Sequence, residues 1–119
     1  MRTATLLTAL LLGASPAMGQ SLCVEPTMPM PVDGAAATAD QMRAAMADAR
    51  NFIAEAGVYQ ECLTKEVEDA KSQAATSGQA FEPSVEAAAR ARMDVSRKAQ
   101  ERVGVTLNNA MAAYKNAHN

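Results

Sequence analysis

Apolar and small residues recur every three or four positions in two stretches of the C-terminal part of the chain. This spacing places them along one side of an α-helix and resembles the heptad seam of a coiled coil. We predict one helix over about 38–75 and a second over about 84–117. The first seam contains Met42, Met46, Ala49, Ile53, Ala56, Leu63, Val67, Ala70 and Ala74, and the second contains Val85, Ala88, Val95, Ala99, Val103, Leu107, Ala110, Tyr114 and Ala117.

The first predicted helix has a recognisable start, and a turn follows it. Thr38 and Gln41 have the spacing of a capping box, in which their side chains bond the free N–H groups at a helix start. Residues 75–83 contain turn-forming residues, glycine and proline, so we expect the chain to reverse there. The first helix is mainly acidic and the second mainly basic, which favours antiparallel packing. The expected fold is therefore all-α, with an antiparallel two-helix hairpin over 38–119.

Residues 20–37 precede the hairpin and differ from it in composition. They contain three prolines and Asp33-Gly34, which excludes a helix and favours an extended strap ending in a turn. An apolar flank beside the first seam predicts a neighbour for this strap on the first helix. The side chains expected to meet there are Met28, Met30 and Val32 from the strap and Phe52 and Tyr59 from the helix.

Residues 1–19 have the pattern of a cleavable secretory signal peptide. Arg2 is followed by the apolar run Ala4–Leu12, and small residues precede a predicted cleavage site before Gln20. Ser15-Pro16-Ala17 is a second candidate cleavage site. Because the apolar run is shorter than the roughly 20 residues that span a bilayer, we do not expect an integral membrane protein. We expect a periplasmic or secreted protein.

Cys23 and Cys62 are the two cysteines of the chain, and we predict that they form a disulfide. Exported proteins meet an oxidising compartment, in which a pair of cysteines forms a stable crosslink. Cys62 lies about 36 Å along the first helix from Thr38, and the residues from Cys23 to Thr38 span roughly 46 Å in a polyproline conformation. The strap can therefore reach Cys62 and be linked to the first helix.

Two pairs of methionines form the candidate metal site. Met28 and Met30 lie in the strap, Met42 and Met46 lie one helical turn apart, and thioether sulfurs are soft ligands that suit Cu(I). Met42 and Met46 also belong to the predicted seam, where methionine commonly fills gaps in a core. We predict no metal or cofactor, with Cu(I) binding through these four residues as the alternative.

The sequence lacks an arrangement of residues that would predict catalysis. The only histidine is His118, at the end of the second predicted helix, and both cysteines are assigned to the disulfide. A basic stretch in the second helix is matched by acidic residues at helical spacing and has no interleaved aromatics, so nucleic acid is not an expected partner. The stretch contains Arg90, Arg92, Arg97, Lys98 and Arg102, with predicted pairs Glu86–Arg90, Asp94–Lys98 and Arg97–Glu101.

Several short patterns resemble known exported proteins. Thr38-x-x-Gln41 resembles part of the Leu-Thr-x-x-Gln signature of the periplasmic Spy and CpxP stress proteins, with Ala37 at the leucine position. Those proteins are helical chaperones, so this resemblance implies binding of unfolded clients. A longer pattern resembles small exported proteobacterial proteins of unknown function and implies export and a stapled hairpin without assigning an activity. It consists of Cys23-x-x-Pro26, Pro31-x-Asp33-Gly34, Thr38-x-x-Gln41-Met42, Phe52-Ile53 and Tyr59-Gln60-x-Cys62-Leu63.

Together these features predict a non-enzymatic exported protein with an interaction or structural role. We expect a homodimer in which two hairpins bury each other's apolar stripes as a four-helix bundle, and an envelope protein as a further partner. Two alternative functions are Cu(I) binding through the methionines and a chaperone-like activity in the periplasm.

Overall fold

A computed structural model describes residues 21–119, so the predicted signal peptide 1–19 lies outside the described residues. Within this range the chain forms two helices, α1 at Ala39–Ser77 and α2 at Pro83–Ala117, which pack against each other. The described residues contain no strand, which confirms the all-α prediction for this part of the chain. Neither helix is long and apolar enough to cross a membrane.

Both ends of α1 are closed by local hydrogen bonds. Thr38 Oγ1 accepts a hydrogen bond from the N–H of Gln41 at 3.2 Å, and Gln41 Oε1 accepts one from the N–H of Thr38 at 2.8 Å. This is the predicted capping box. At the other end Gly78 has a left-handed conformation with φ 68°, and the N–H of Gln79 donates to the carbonyl of Ala74. Glycine adopts this conformation without steric cost, so the chain can turn towards α2.

The two helices are antiparallel and meet along a seven-residue repeat. Met42 packs with Ala110 near the open end of the hairpin, and Lys71 pairs with Glu86 near the turn. The small side chains in the repeat let the two backbones approach closely. The buried residues of the repeat are Met42, Ala49, Ala56 and Leu63 on α1 and Ala89, Ser96, Val103 and Ala110 on α2.

Phe52 and Tyr59 complete the buried side of α1. They are 5% and 3% exposed, whereas Ile53 is 40% exposed. The assignment of Ile53 to the seam, with the aromatics on a flank, is therefore wrong. Each aromatic ring contacts an element outside α1, because Phe52 packs with Val103 of α2 and Tyr59 packs with Cys23. Large rings bury more apolar area in such positions than Ile53 would.

A polar layer interrupts the apolar seam near the middle of the hairpin. Gln60 donates through Nε2 to Ser96 Oγ and to Gln100 Oε1, both at 3.0 Å. Gln100 in turn donates through Nε2 to the carbonyl of Ile53 at 2.9 Å. Because the partly buried polar atoms bond one another, the layer avoids the cost of unpaired polar groups inside the interface.

The polar layer explains why the first half of α2 buries a different side from the predicted one. Val85 and Val95 were assigned to the apolar face, but they are 41% and 60% exposed. Ala89 and Ser96 are buried in their place. Ser96 accepts a hydrogen bond from Gln60 inside the interface, and Ala89 lies seven positions earlier on the same side of α2.

The N-terminal segment, residues 21–38, contains neither helix nor strand and contacts the hairpin from the turn end to the open end. Cys23 belongs to a buried cluster with Tyr59 and Leu63, and Ala37 belongs to one with Met42 and Ala110. A third cluster, between them, joins Ala49, Phe52 and Val103.

Gly34 marks the closest approach of the N-terminal segment to α2. It is buried, and a Cβ atom at this position would overlap the carbonyl oxygen of Ala110. The neighbouring group is backbone in the interior of a helix, so it has little freedom to move away. Only glycine therefore fits at this contact.

Gly34→Ala should lower the free energy of unfolding by about 1–3 kcal/mol, because the added methyl group overpacks a rigid contact. Urea unfolding followed by circular dichroism measures this loss. The matched control is Ala35→Ser, which also adds one heavy atom but at an exposed neighbour, and should change the free energy by less than about 0.5 kcal/mol. Equal effects of the two substitutions would contradict the close contact.

Gln60→Leu should destabilise the protein by about 1–3 kcal/mol, since it leaves Ser96 and Gln100 without their shared donor. Replacing the whole layer, as Gln60→Leu with Ser96→Ala and Gln100→Leu, should recover that loss, because no polar group is then stranded. Urea unfolding of the single and triple variants tests both statements. A triple variant less stable than the single one would show that the layer stabilises the fold by itself.

Candidate functional site

The N-terminal segment is covalently attached to α1. Cys23 and Cys62 form a disulfide with an S–S distance of 2.08 Å and Cα atoms 5.7 Å apart, which confirms the predicted pair. The two cysteines are 39 positions apart in sequence. On the chain-entropy model, closing a loop of this length stabilises a fold by roughly 4 kcal/mol.

Glu66 strengthens the attachment one helical turn beyond the disulfide. Its Oε1 atom accepts a hydrogen bond from the N–H of Leu22 at 2.7 Å, and the Ser21 hydroxyl lies 2.9 Å from both carboxylate oxygens. The N–H of Cys23 donates to Ser21 Oγ at 3.2 Å. No local pattern in the sequence indicates this role for Glu66, because its partners Ser21 and Leu22 are 45 and 44 positions away along the chain.

The segment encloses a groove as it passes over the two helices, which we call the Met–Pro groove. Its volume is about 240 Å³, and its lining is mainly apolar, with Arg102 as the one charged residue. The segment contributes Met28–Val32, and the helices contribute Ala45, Ala49, Arg102, Val103, Thr106 and Leu107.

The groove differs from the expected packing of the segment. The sequence predicted that Met28, Met30 and Val32 would meet Phe52 and Tyr59 of α1, but the groove has neither aromatic residue in its lining. Met30 is 90% exposed and packs only loosely. The two aromatics are already covered by α2 and Cys23, so the segment lies across both helices instead.

The four candidate metal ligands occupy different environments. Met28 and Met30 line the Met–Pro groove, whereas Met42 is 5% exposed in the cluster around Ala110. Met46 is half-buried and does not line the groove. Met28 and Met30 thus line one groove, whereas Met42 is a core residue.

The disulfide and Glu66 also form a compact group of metal-binding residue types. The sulfur atoms of Cys23 and Cys62 and a Glu66 carboxylate oxygen lie within 4.8 Å of one another. Thiolate is the form of cysteine that binds metals, and both sulfurs are committed to the disulfide. In the oxidised protein this group therefore acts as an anchor for the segment.

Four of the nine charged residues of α2 form ion pairs along the helix. Glu86 pairs with Arg90 at 2.8 Å, which confirms one prediction, and Asp94 pairs with Arg97 at 3.1 Å. Asp94 and Arg97 are three positions apart, and on a helix surface this spacing brings two side chains together as well as a spacing of four does. The predicted pairs that the structure replaces are Asp94–Lys98 and Arg97–Glu101.

Two other side chains considered for chemistry contact aromatic rings. His118 stacks on Tyr114, with ring centroids 4.1 Å apart, and its Nδ1 atom lies 2.8 Å from the Tyr114 carbonyl, which accepts the hydrogen bond. Arg92 lies over the ring of Tyr59 at 5.4 Å from its centroid. Both contacts attach these side chains to the helix surface.

Comparison with known proteins found no matching family model, no matching curated protein and no matching solved structure.

Glu86 lies between two cations near the turn. Hydrogen bonds from Lys71, at 3.1 Å, and from Arg90 lower the pKa of Glu86 below its ordinary value of 4.5. A lowered pKa in the folded state means that folding favours the ionised carboxylate. The stabilisation is therefore present above about pH 4.5 and is lost as the pH falls through the lowered pKa.

A carboxyl-detected NMR titration should give a midpoint for Glu86 below 4.5. Lys71→Met should move that midpoint upward, because it removes the larger of the two contributions to the lowered pKa. Lys65→Met is the matched control, since Lys65 pairs with Asp69 on the same helix and should leave the Glu86 titration unchanged. An unchanged midpoint in Lys71→Met would contradict the assigned ion pair.

Proposed function

We propose that this protein is a non-enzymatic exported protein, periplasmic or secreted, whose hairpin has an interaction or structural role. The observation that carries the proposal is the Met–Pro groove, a mainly apolar surface formed by a segment that a disulfide holds against both helices. Contiguous exposed apolar surface is typical of sites that bind other proteins. The proposed partners are an envelope protein and a second copy of the chain.

Export is supported by two independent features. The pattern of residues 1–19 is that of a signal peptide, and disulfides persist in proteins outside the cytoplasm. The resemblance of residues 23–63 to small exported proteobacterial proteins agrees with both.

A non-enzymatic role is supported by the surroundings of the polar side chains. The ion pairs of the described residues join exposed or half-exposed groups, as on a solvated helix surface. His118, the only histidine, stacks on Tyr114 at the end of α2. The proposal therefore assigns no catalytic residue.

A chaperone-like function is the first alternative, favoured by an apolar patch beside the disulfide. Leu22, Val24 and Val58 are 88%, 84% and 66% exposed and line one shallow groove with Pro26. Contiguous exposed apolar residues are typical of surfaces that bind other proteins. Suppression of client aggregation by the oxidised protein, and its loss in Val58→Glu, would favour this alternative.

Cu(I) binding is the second alternative, favoured because Met28 and Met30 line the same groove. Two thioethers are a small ligand set for Cu(I), and Met42 would have to leave the core to enlarge it. Uptake of Cu(I) under reducing conditions that Met28→Leu with Met30→Leu abolishes would favour this function over the proposed one.

A photoreactive residue at Met30 tests the interaction role in intact cells. We expect crosslinked products with an envelope polypeptide, because Met30 is 90% exposed at the edge of the groove. The same residue at Ala91, which is exposed on α2, is the matched control and should give little product. Cys23→Ser with Cys62→Ser should abolish the Met30 product, since the segment then loses its anchor.

Intact mass before and after reduction and thiol alkylation accompanies this experiment. It reports whether the protein in the cells is processed and oxidised. If the protein in the cells is processed and oxidised but the photoreactive residue at Met30 gives no crosslinked product, the proposed interaction role of the groove is wrong.

A further inference from the structure

One side of the hairpin, which we call the rear face, has no third layer among residues 21–119. The N-terminal segment covers the side of the seam on which Ala45 and Thr106 lie. Each of these two residues follows a seam residue, Met42 or Val103, by three positions. Residues four positions after a seam residue lie towards the opposite side, although Leu107, which has this position, also reaches the groove. Gln60 and Gln100 have that position, so the polar layer marks the rear face.

The rear face carries apolar side chains that the monomer leaves partly open. Ile53 and Met111 are 40% and 41% exposed, and Met46, Met93 and Tyr114 are half-buried. Burying such a stripe is the usual driving force for helices to form a bundle.

The rear face also contains both interior glycines of the helices, Gly57 and Gly104. No atom lies within 4 Å of a Cβ built at either position. Glycine is unfavourable in a helix interior, and no contact within the described residues requires it at these two places. A second pair of helices packed on the rear face could approach closely at both glycines.

The area of the rear face is large enough for a stable dimer. The shorter helix, α2, has 35 residues, or about 52 Å at 1.5 Å per residue. Two adjacent helices about 9 Å apart present a face roughly 18 Å wide. The face therefore measures roughly 900 Å² per copy, compared with the roughly 800 Å² per partner in standard stable interfaces.

Charged residues of the rear face are complementary in one arrangement of two copies. In this arrangement each α1 lies over the α2 of the other copy, and residues at the same height along the helix axes face each other. The Lys71–Glu86 pair joins the two helices near the turn and defines one level. One turn further from the hairpin turn, Glu68 is level with Arg90.

Two more turns bring Glu61 level with Arg97. All four residues are exposed. Arg90 and Arg97 have the same heptad position as Gly104 and Met111 on the rear face, and Glu61 and Glu68 lie at its edge on α1. A two-fold axis parallel to the helices would place each glutamate opposite an arginine of the second copy, and it would do so twice, once on each side of the axis.

We propose that a second copy of this chain covers the rear face, with α1 of each copy packed over α2 of the other as a closed four-helix bundle. This inference rests on the homodimer within the proposed function and specifies its interface and register. The Met–Pro groove stays open on the outside of the dimer, on the opposite face of each hairpin.

Charge reversal in the full processed protein, oxidised at Cys23 and Cys62, tests the register. Glu61→Arg with Glu68→Arg should weaken dimerisation by at least about tenfold at low salt, since attraction becomes repulsion at four places. Arg90→Glu with Arg97→Glu should do the same, and mixing the two double variants should give a heterodimer. Sedimentation equilibrium measures each dissociation constant.

The matched control is Asp48→Arg with Glu55→Arg, which makes the same change of charge on the segment side of α1. It should leave dimerisation within about twofold of the unsubstituted protein, since the substituted residues lie outside the interface. If the control variant dimerised as weakly as Glu61→Arg with Glu68→Arg, the assigned face would be wrong, because the loss of affinity would then be a general effect of charge.

Gly57→Gln with Gly104→Gln separates loss of the interface from loss of folding. These substitutions meet no atom of the same chain, so thermal unfolding should shift to higher temperature at a concentration where the protein is monomeric. Dimerisation should nevertheless be lost, because the two helix pairs can no longer approach. If neither the charge reversals nor the glycine substitutions weakened dimerisation, the protein would still be a homodimer, but the rear face would not be its interface.

A monomer at the highest concentrations tested would overturn the homodimer and this inference together. The Met30 crosslinking experiment alone would then test the interaction role of the groove.

Discussion

The crosslink between Cys23 and Cys62 is the constraint on which the rest of this structure depends. A pair of helices with alanine-rich seams buries little apolar area, and Leu63 is the only large side chain of the described residues that is buried completely. Such a pair needs a third layer, and the N-terminal segment supplies it. The segment has no helical or strand hydrogen bonds of its own, so its position depends on the disulfide and on the Glu66 carboxylate beside it.

The segment makes the two faces of the hairpin different. On its side, the aromatic rings of α1 are buried, and the chain crosses close enough to α2 that Gly34 cannot carry a side chain. On the other side, the polar layer of Gln60, Ser96 and Gln100 and two open glycines lie among half-exposed apolar residues. We therefore propose a different partner for each face, an envelope protein for the groove and a second copy of the chain for the rear face.

The polar layer links the packing of the hairpin to its proposed assembly. A purely alanine and valine seam would allow the helices to slide by a heptad with little change in buried area. Gln60 bonds two residues of α2 at one level, and Lys71 pairs with Glu86 at another, so both contacts specify the same register. In the proposed dimer, the charges of the rear face are complementary between copies only because this register is maintained.

Local patterns in the sequence predicted the features that depend on neighbouring residues. The capping box at Thr38, the turn before α2, the two helices and the disulfide follow from short-range spacing or from the pairing of only two cysteines. These contacts have strong residue preferences that hold in almost any fold. The second half of the α2 seam, from Val103 onward, was also predicted, because it is apolar and regular.

Only the tertiary structure decided which residues of a helix meet a partner from far along the chain. Ile53 and Phe52 are adjacent and both apolar, and periodicity cannot choose between them until the position of the third layer is known. Ser96 is polar and was not included in the predicted apolar face, although it accepts a hydrogen bond from Gln60 inside the interface. Gly34 gave no local signal beyond a turn. The sequence by itself determined the helices and the crosslink, because their energetics are local or unique, whereas the packed faces depend on which distant groups satisfy or exclude each other.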